Sequence, residues 1–361
     1  MFSKIQAKNF RSFKNVSISS LKRVNVFTGM NGCGKTSVLE IPFLLAGGPN
    51  ATLALSLYNF RNEHALTPNL ERPFTSVFHE LSISENIELD GYGDFLSETE
   101  SPYRKLVISP IYSPEGEPNG TKTEGRIQGL TFDFQGPNGE FTGKIAWETE
   151  TEAVDADSRP RMRTGLRSHS PQTQDNISAY FITPYYRELW GQAHNLLTEL
   201  TKKNRVNEIV RQLKMIEPNI QNLLPLSESG VQTIYADIGA ENLMPVPLLG
   251  GGFANIFHMV LDASVQHNGL LIIDEIEDGI HYIIVPKLIR YLLDISVQNN
   301  LQLFISTHSD EMLDMFAEVA NDMAFEDLAL FRLLNKNGEG TASYFSFQDL
   351  LASRETNAEL R

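Results

Sequence analysis

Apolar and polar positions change rhythm about half-way along the chain. The first half is built of short β-like runs. Residues 5–7 and 16–18 flank a turn, and 24–28 form a compact apolar run that ends at Gly29. Further runs follow at 77–83, 87–89, 106–111, 127–134 and 141–147, separated by Gly, Pro and Asn clusters. Gly136-Pro137-Asn138-Gly139 lies between two of them and reads as a hairpin turn. The pattern predicts a mostly antiparallel sheet.

From Arg187 onward the period becomes helical. Val206, Ile209, Val210, Leu213 and Ile216 recur at helical spacing, on a helix that Pro218 closes. Its other side carries Lys202, Lys203, Arg205, Arg211 and Lys214, a solvated face that also suits contact with nucleic acid. A strand over 231–238 comes next. Then strand and helix alternate: 270–273, a helix after Pro286, 303–306, and a helix from Ser309. Such alternation predicts a parallel sheet.

Between the halves the composition shifts. Glu148, Glu150, Glu152, Asp155 and Asp157 precede Arg159, Arg161, Arg163 and Arg167, which sit among Ser, Pro and Gly. The segment predicts a flexible, charge-split loop whose arginines pair with the acids before them. A grip on a phosphate backbone or on a partner's acidic patch is the other use for that cluster.

Charge sharpens the picture. The 361 residues carry a net charge of −15, so the surface as a whole does not suit nucleic acid, and any phosphate contact needs local basic patches. Residues 1–39 are the exception, with seven basic side chains and no acid, which marks the segment as facing an anion. One cysteine, Cys33, excludes a disulfide framework and a cysteine-rich zinc site. The start lacks an apolar core of signal-peptide length, and no apolar run approaches the ~18 residues of a spanning helix. A cytoplasmic protein is expected.

Three motifs carry chemistry. Gly29-Met30-Asn31-Gly32-Cys33-Gly34-Lys35-Thr36 fits G-x-x-x-x-G-K-T, with an apolar run before it and a helical pattern after it. Such a loop wraps phosphates with backbone N–H groups, Lys35 supplies a cation to the β- and γ-phosphates, and Thr36 offers a hydroxyl to Mg2+. Cys33 reads as a small filler. Leu270-Leu271-Ile272-Ile273-Asp274-Glu275 is a buried strand ending in two acids. Asp274 suits the Mg2+ shell, and Glu275 stands where a base orients water. Leu303-Phe304-Ile305-Ser306-Thr307-His308 ends another strand in a histidine able to bond a γ-phosphate. Gly250, Gly251 and Gly252 open a helical pattern and offer a second anion site, or else a flexible turn.

Together these motifs resemble the ABC-type ATPases, and within them the RecF/SMC-like and OLD (overcoming lysogenization defect) branch. The likeness extends to Ile5, Lys8-Asn9-Phe10-Arg11-Ser12-Phe13 and to Asp274-Glu275-Ile276-Glu277-Asp278-Gly279-Ile280-His281. It covers roughly 1–90 and 230–320. It implies that Asn31, Gly32, Cys33, Gly34, Lys35, Thr36, Ser37 and Arg11 contact ATP. It implies Thr36 and Asp274 as metal ligands, Glu275, His308 and Lys35 as catalytic residues, and Gly250, Gly251 and Gly252 as a signature loop. In this family two heads close around ATP.

Some features depart from the family pattern. Leu249 or Gly250 stands where a signature serine is usual, which implies slow turnover. No glutamine lies between Leu39 and Ser84, leaving His79 and Asn59 as candidates for that role. The Toprim nuclease motifs of OLD nucleases are not found after His308.

The expected fold is α/β: a P-loop NTPase, an ABC-type ATPase head with an antiparallel β subdomain and a helical insertion. The expected boundaries are 1–90 and 230–361 for the core and 91–150 for the continued antiparallel β subdomain. The flexible charged loop is placed at 151–176 and the helical insertion at 177–229. The expected function is Mg2+-dependent ATP hydrolysis by a homodimer, or higher homo-oligomer, that controls a separately encoded nuclease or toxin in antiviral defence. A Toprim nuclease is one such partner, and residues 159–167 and 187–217 are its expected docking surfaces. A RecF-like repair ATPase acting directly on DNA and a nucleotide-gated scaffold with little turnover are the alternatives. No membrane contact is expected.

Overall fold

The computed structural model describes residues 1–61, 71–93, 103–112, 126–152, 161–184, 190–228, 230–346 and 349. In chain order the first elements are β1 (Phe2–Phe10), β2 (Phe13–Ile18), β3 (Val24–Thr28), α1 (Lys35–Gly47), α2 (Leu53–Phe60) and α3 (Arg72–Thr75). Strands β4 (Ile87–Gly93), β5 (Arg104–Tyr112), β6 (Ile127–Gly136), β7 (Gly139–Glu152), β8 (Arg161–His169) and β9 (Ala179–Ile182) follow. Then come α4 (Trp190–Lys202), α5 (Val206–Leu213), β10 (Asn222–Glu228), β11 (Val231–Asp237), β12 (Met244–Pro245) and α6 (Gly251–Val265). The chain continues through β13 (Leu270–Ile273), α7 (Val285–Gln298), β14 (Gln302–Ser306), α8 (Asp310–Asp322), β15 (Leu328–Lys336) and β16 (Glu339–Ser346).

Two compact units share these elements. One is Met1–Ser19, Gly32–Asn176 and Asn335–Thr341; the other is Ser20–Asn31, Ile177–Leu334 and Ala342–Arg361. The first unit holds an antiparallel sheet in the order β8-β7-β6-β5-β4-β1-β2. Its β6–β7 hairpin turns at the expected place, with Gly136 opposite Gly139. Helix α1 is buried on nearly every side, from Lys35 to Ala46. Its last turn carries no basic residue of its own. Arg104 of β5 supplies the cation instead, donating to the carbonyls of Leu45, Ala46 and Asp175 while its guanidinium lies 4.8 Å over the Phe134 ring. Burial pulls the Arg104 pKa down to about 10, so it stays charged at neutral pH.

The second unit holds the parallel sheet β15-β3-β14-β13-β9. Its strands are apolar because both faces are covered. Helices α4 to α8 contribute side chains to the same core as β3, β13 and β14. A three-stranded sheet, β10-β11-β12, completes this unit.

Several expectations shift. The first unit takes in residues 1–19, where β1 pairs antiparallel with β4, so the antiparallel sheet that continues past residue 91 begins at the second residue. Residues 77–83 are not a strand: Glu80 and Leu81 adopt left-handed φ of 50° and 61°, and 79–81 form a 3-10 turn. The Arg-rich segment is not a loop over 161–169; it is edge strand β8, with Arg163 opposite Glu150 and Arg161 opposite Glu152. Arg159 lies outside the described residues. The helical insertion is also shorter than expected, since β9 joins the parallel sheet and β10 pairs with β11.

Two predictions concern stability. Arg104→Met leaves buried carbonyls without a donor and should cost about 3 kcal/mol or more in denaturant unfolding; a loss below 1 kcal/mol contradicts the capping role. His258 of α6 is buried against Trp190 and Phe257, and desolvation lowers its pKa from 6.5 to about 4. The unfolded chain therefore binds a proton that the fold refuses between those values. This residue costs nothing above pH 6.5, and stability should fall by up to roughly 3 kcal/mol as pH drops to 4. His258→Leu should remove that part of the pH slope measured in denaturant titrations.

Candidate functional site

Three adjacent parallel strands end at one level. Phe27 of β3 faces Ser306 of β14, and Ile273 of β13 faces Ile305. The chain then continues as Gly29 after β3, as Thr307-His308 after β14 and as Asp274-Glu275 after β13. All three sequence motifs thus leave the carboxyl edge of the sheet, the edge that binds ligands in open α/β folds.

The 29–36 loop bends by means of its glycines. Gly29, Gly32 and Gly34 have φ of 144°, 79° and 99°. At Gly34 a Cβ would also stand 2.4 Å from the Phe13 ring, so glycine is required twice over. Asn31 and Gly32 are exposed, whereas Lys35 is buried at the first turn of α1 and Thr36 is half-buried. Ser37 is buried, and its hydroxyl bonds that of Ser12 at 3.0 Å. Burial pushes the Cys33 thiol up and the Lys35 charge only partly opposes it, so Cys33 stays a protonated filler.

Arg11 occupies a different setting from the one expected. It is buried, with left-handed φ of 52°, and its Nε donates to Glu40 at 2.8 Å while Nη1 donates to the Ser76 carbonyl. Arg61 pairs with the same carboxylate at 2.9 Å. Arg11 therefore braces β1 against α1. His79 bonds the Arg11 carbonyl through Nδ1 at 3.0 Å.

The strand ends of β13 and β14 are tied by Ser306, which sequence reasoning passed over. Its buried hydroxyl donates to Asp274 Oδ1 at 2.5 Å and accepts from the Glu275 N–H at 2.8 Å. Glu275 is left-handed, φ 53°, a conformation that a non-glycine residue holds only when its surroundings enforce it. The turn aims its carboxylate at His308, whose Nε2 lies 2.8 Å from Oε1. Glu277 fixes the histidine from the other side, its Oε1 accepting the His308 N–H at 2.6 Å.

The three glycines divide into two roles. Gly250 and Gly251 open α6 with free space at the Cβ position. At Gly252 a Cβ would meet the Gly279 carbonyl at 2.2 Å, so this glycine serves close packing. Asn255 reinforces it by donating to the Asp278 carbonyl at 2.9 Å. The stretch after Glu275 thus rests on the first turns of α6.

With this geometry in view, known proteins place the chain. A family model described as "AAA domain, putative AbiEii toxin, Type IV TA system" matches residues 24–314. The chain belongs to that family. The match runs from β3 into α8 and so includes the 29–36 loop, Gly250–Gly252, Asp274-Glu275 and His308. A Helicobacter pylori protein named ATP/GTP phosphatase is 24% identical over 347 residues, or 90% of each chain. The DNA replication and repair protein RecF of Acetivibrio thermocellus is 29% identical over 124 residues, 31% of each. Among solved structures, an Smc head bound to the C-winged helix domain of ScpA aligns at a TM-score of 0.49 and 13% identity, over 97% of this chain and 99% of that one. The fold is that of an α/β P-loop NTPase. Among the described residues no helix is long and apolar enough to cross a membrane.

The Ser306 tie has its own test. Ser306→Ala removes the acceptor that holds the Glu275 amide and should lower unfolding free energy by about 1–3 kcal/mol. Hydrogen exchange at the Glu275 amide should speed up. An unchanged exchange rate would mean that Ser306 does not hold the turn.

Proposed function

We propose that the chain hydrolyses ATP with Mg2+, that two copies close around the nucleotide, and that this switch controls a separately encoded nuclease or toxin in antiviral defence. The observation carrying the hydrolytic part is the Glu275–His308 pair at adjacent strand ends. Both side chains are partly exposed, so water reaches them. In this reading the N–H groups of the 29–36 loop and the Lys35 cation bind the phosphates. Glu275 orients water and accepts its proton. His308 holds the Glu275 carboxylate in place and senses the γ-phosphate.

Thr36 and Asp274 offer a hydroxyl and a carboxylate, the hard oxygen donors that Mg2+ takes, so the residues fit the ion. When bound, Mg2+ neutralises charge on the phosphate oxygens.

Support for closure around ATP comes from side chains beside the motifs. Met30, Leu248, Tyr282 and Ile283, close in sequence to the motifs, are 77%, 69%, 63% and 58% exposed and so open to a second copy. Gly250 and Gly251 leave room at the α6 N-terminus for a second copy's nucleotide. A place in a toxin–antitoxin or defence system is supported by the family description, and hydrolysis by the name of the Helicobacter pylori relative. Direct action on DNA is the second reading, favoured by the partial match to RecF.

Glu275→Gln should cut phosphate release at least 100-fold while ATP affinity stays within a few-fold in calorimetry. Lys35→Ala should weaken ATP binding more than tenfold, about 1.4 kcal/mol. Wild-type turnover by Glu275→Gln would remove Glu275 from the chemistry.

A further inference from the structure

A cleft of about 460 Å3 opens on the second unit, well outside the three motifs. Its walls are α5 and α7, and Ser264 near the end of α6 also lines it. The volume is within the range of small-molecule sites, roughly 300–1,000 Å3.

Its charge runs against that of the chain. Arg205, Arg211, Lys287 and Arg290 line it, with Glu208 and Asp294 as the acids. Arg205 is already neutralised, chelating Glu208 through Nε and Nη2. That leaves Arg211, Lys287 and Arg290 against Asp294 in the lining and Asp322 beside Arg290, a local surplus of one positive charge on a protein of net charge −15. The three are only loosely engaged. Among the described residues Arg211 forms no ion pair. Lys287 reaches only the Met215 carbonyl, at 3.5 Å. Arg290 approaches Asp322 at 3.6 Å, with both side chains about half exposed. Like charges gathered in one cleft repel, and an anion with several acceptor oxygens relieves them.

The rest of the lining argues for a body attached to that anion. Met215 and Ile295 give an apolar surface, and Gln212, Gln298 and Asn299 give amides able to read polar edges. The carboxylates argue against a long polyanion. Glu208 precedes Arg211 by three residues on α5, and Asp294 follows Arg290 by four on α7, so each helix alternates cation and acid along the cleft. A nucleic-acid backbone tracking either wall would meet an acid about every turn. A compact ligand with one phosphate group need not.

We propose that this cleft binds a small organic phosphate: a phosphomonoester on an apolar or aromatic body of about nucleotide size. The site lies apart from the motifs that bind ATP, so its occupancy does not depend on Lys35.

Calorimetry on the full chain carrying Lys35→Ala tests this, with AMP as the probe and adenosine, ribose 5-phosphate, inorganic phosphate and a ten-nucleotide single-stranded DNA as comparisons. AMP should bind with Kd below about 1 mM and more tightly than adenosine or free phosphate. Arg211→Glu with Lys287→Glu, both at exposed positions, should weaken AMP at least tenfold. Arg211→Ala with Lys287→Met, a milder pair, should weaken it several-fold with an unchanged circular dichroism spectrum. The proposal is overturned by an absence of AMP binding, by AMP binding that neither variant alters, by free phosphate matching AMP, or by DNA binding more tightly than AMP.

Discussion

The register between β3, β14 and β13 is the constraint on which the site depends. Phe27 opposite Ser306 and Ile273 opposite Ile305 bring three chemically different segments to one edge. A slip of one residue would turn each strand over and take the motifs out of step. Buried apolar runs lock that register, since both faces of these strands are covered. The burial that makes the core thus also sets the spacing of the polar groups.

At that edge the backbone is held in conformations it would not choose alone. Gly34 bends where a side chain would strike Phe13, and Glu275 adopts a left-handed turn without being glycine. The Ser306 hydroxyl holds that turn and the Asp274 carboxylate together. Glu277 and His308 complete a short network around Glu275. Preorganisation of this kind keeps a carboxylate aimed before any ligand arrives.

The sequence made the contiguous chemistry legible. A phosphate loop needs its glycines, lysine and threonine at fixed spacing, so the 29–36 motif is readable as a string. A buried strand ending in Asp274-Glu275 is readable for the same reason. Ser306, Glu277 and Asn255 were not legible, because their partners are set by strand register and helix packing. Nor was the Arg11 setting legible: the resemblance implies an ATP contact, whereas its pairing with the buried Glu40 depends on how β1 meets α1. The composition of the Arg-rich segment predicts a loop. Arg161 and Arg163 stand two apart, the period of a strand, and their facing partners Glu152 and Glu150 are similarly spaced on β7. Residues 77–83 had strand-like composition, but left-handed Glu80 and Leu81 ended the run.

The central claim is that the segments leaving β3, β13 and β14 act on one nucleotide. Amide hydrogen exchange with and without a non-hydrolysable ATP analogue and Mg2+ tests it most directly. The amides of 31–37, 274–277 and 306–308 should gain protection together and saturate at the same analogue concentration. Protection confined to 31–37, with the other two segments unchanged, would contradict a shared site.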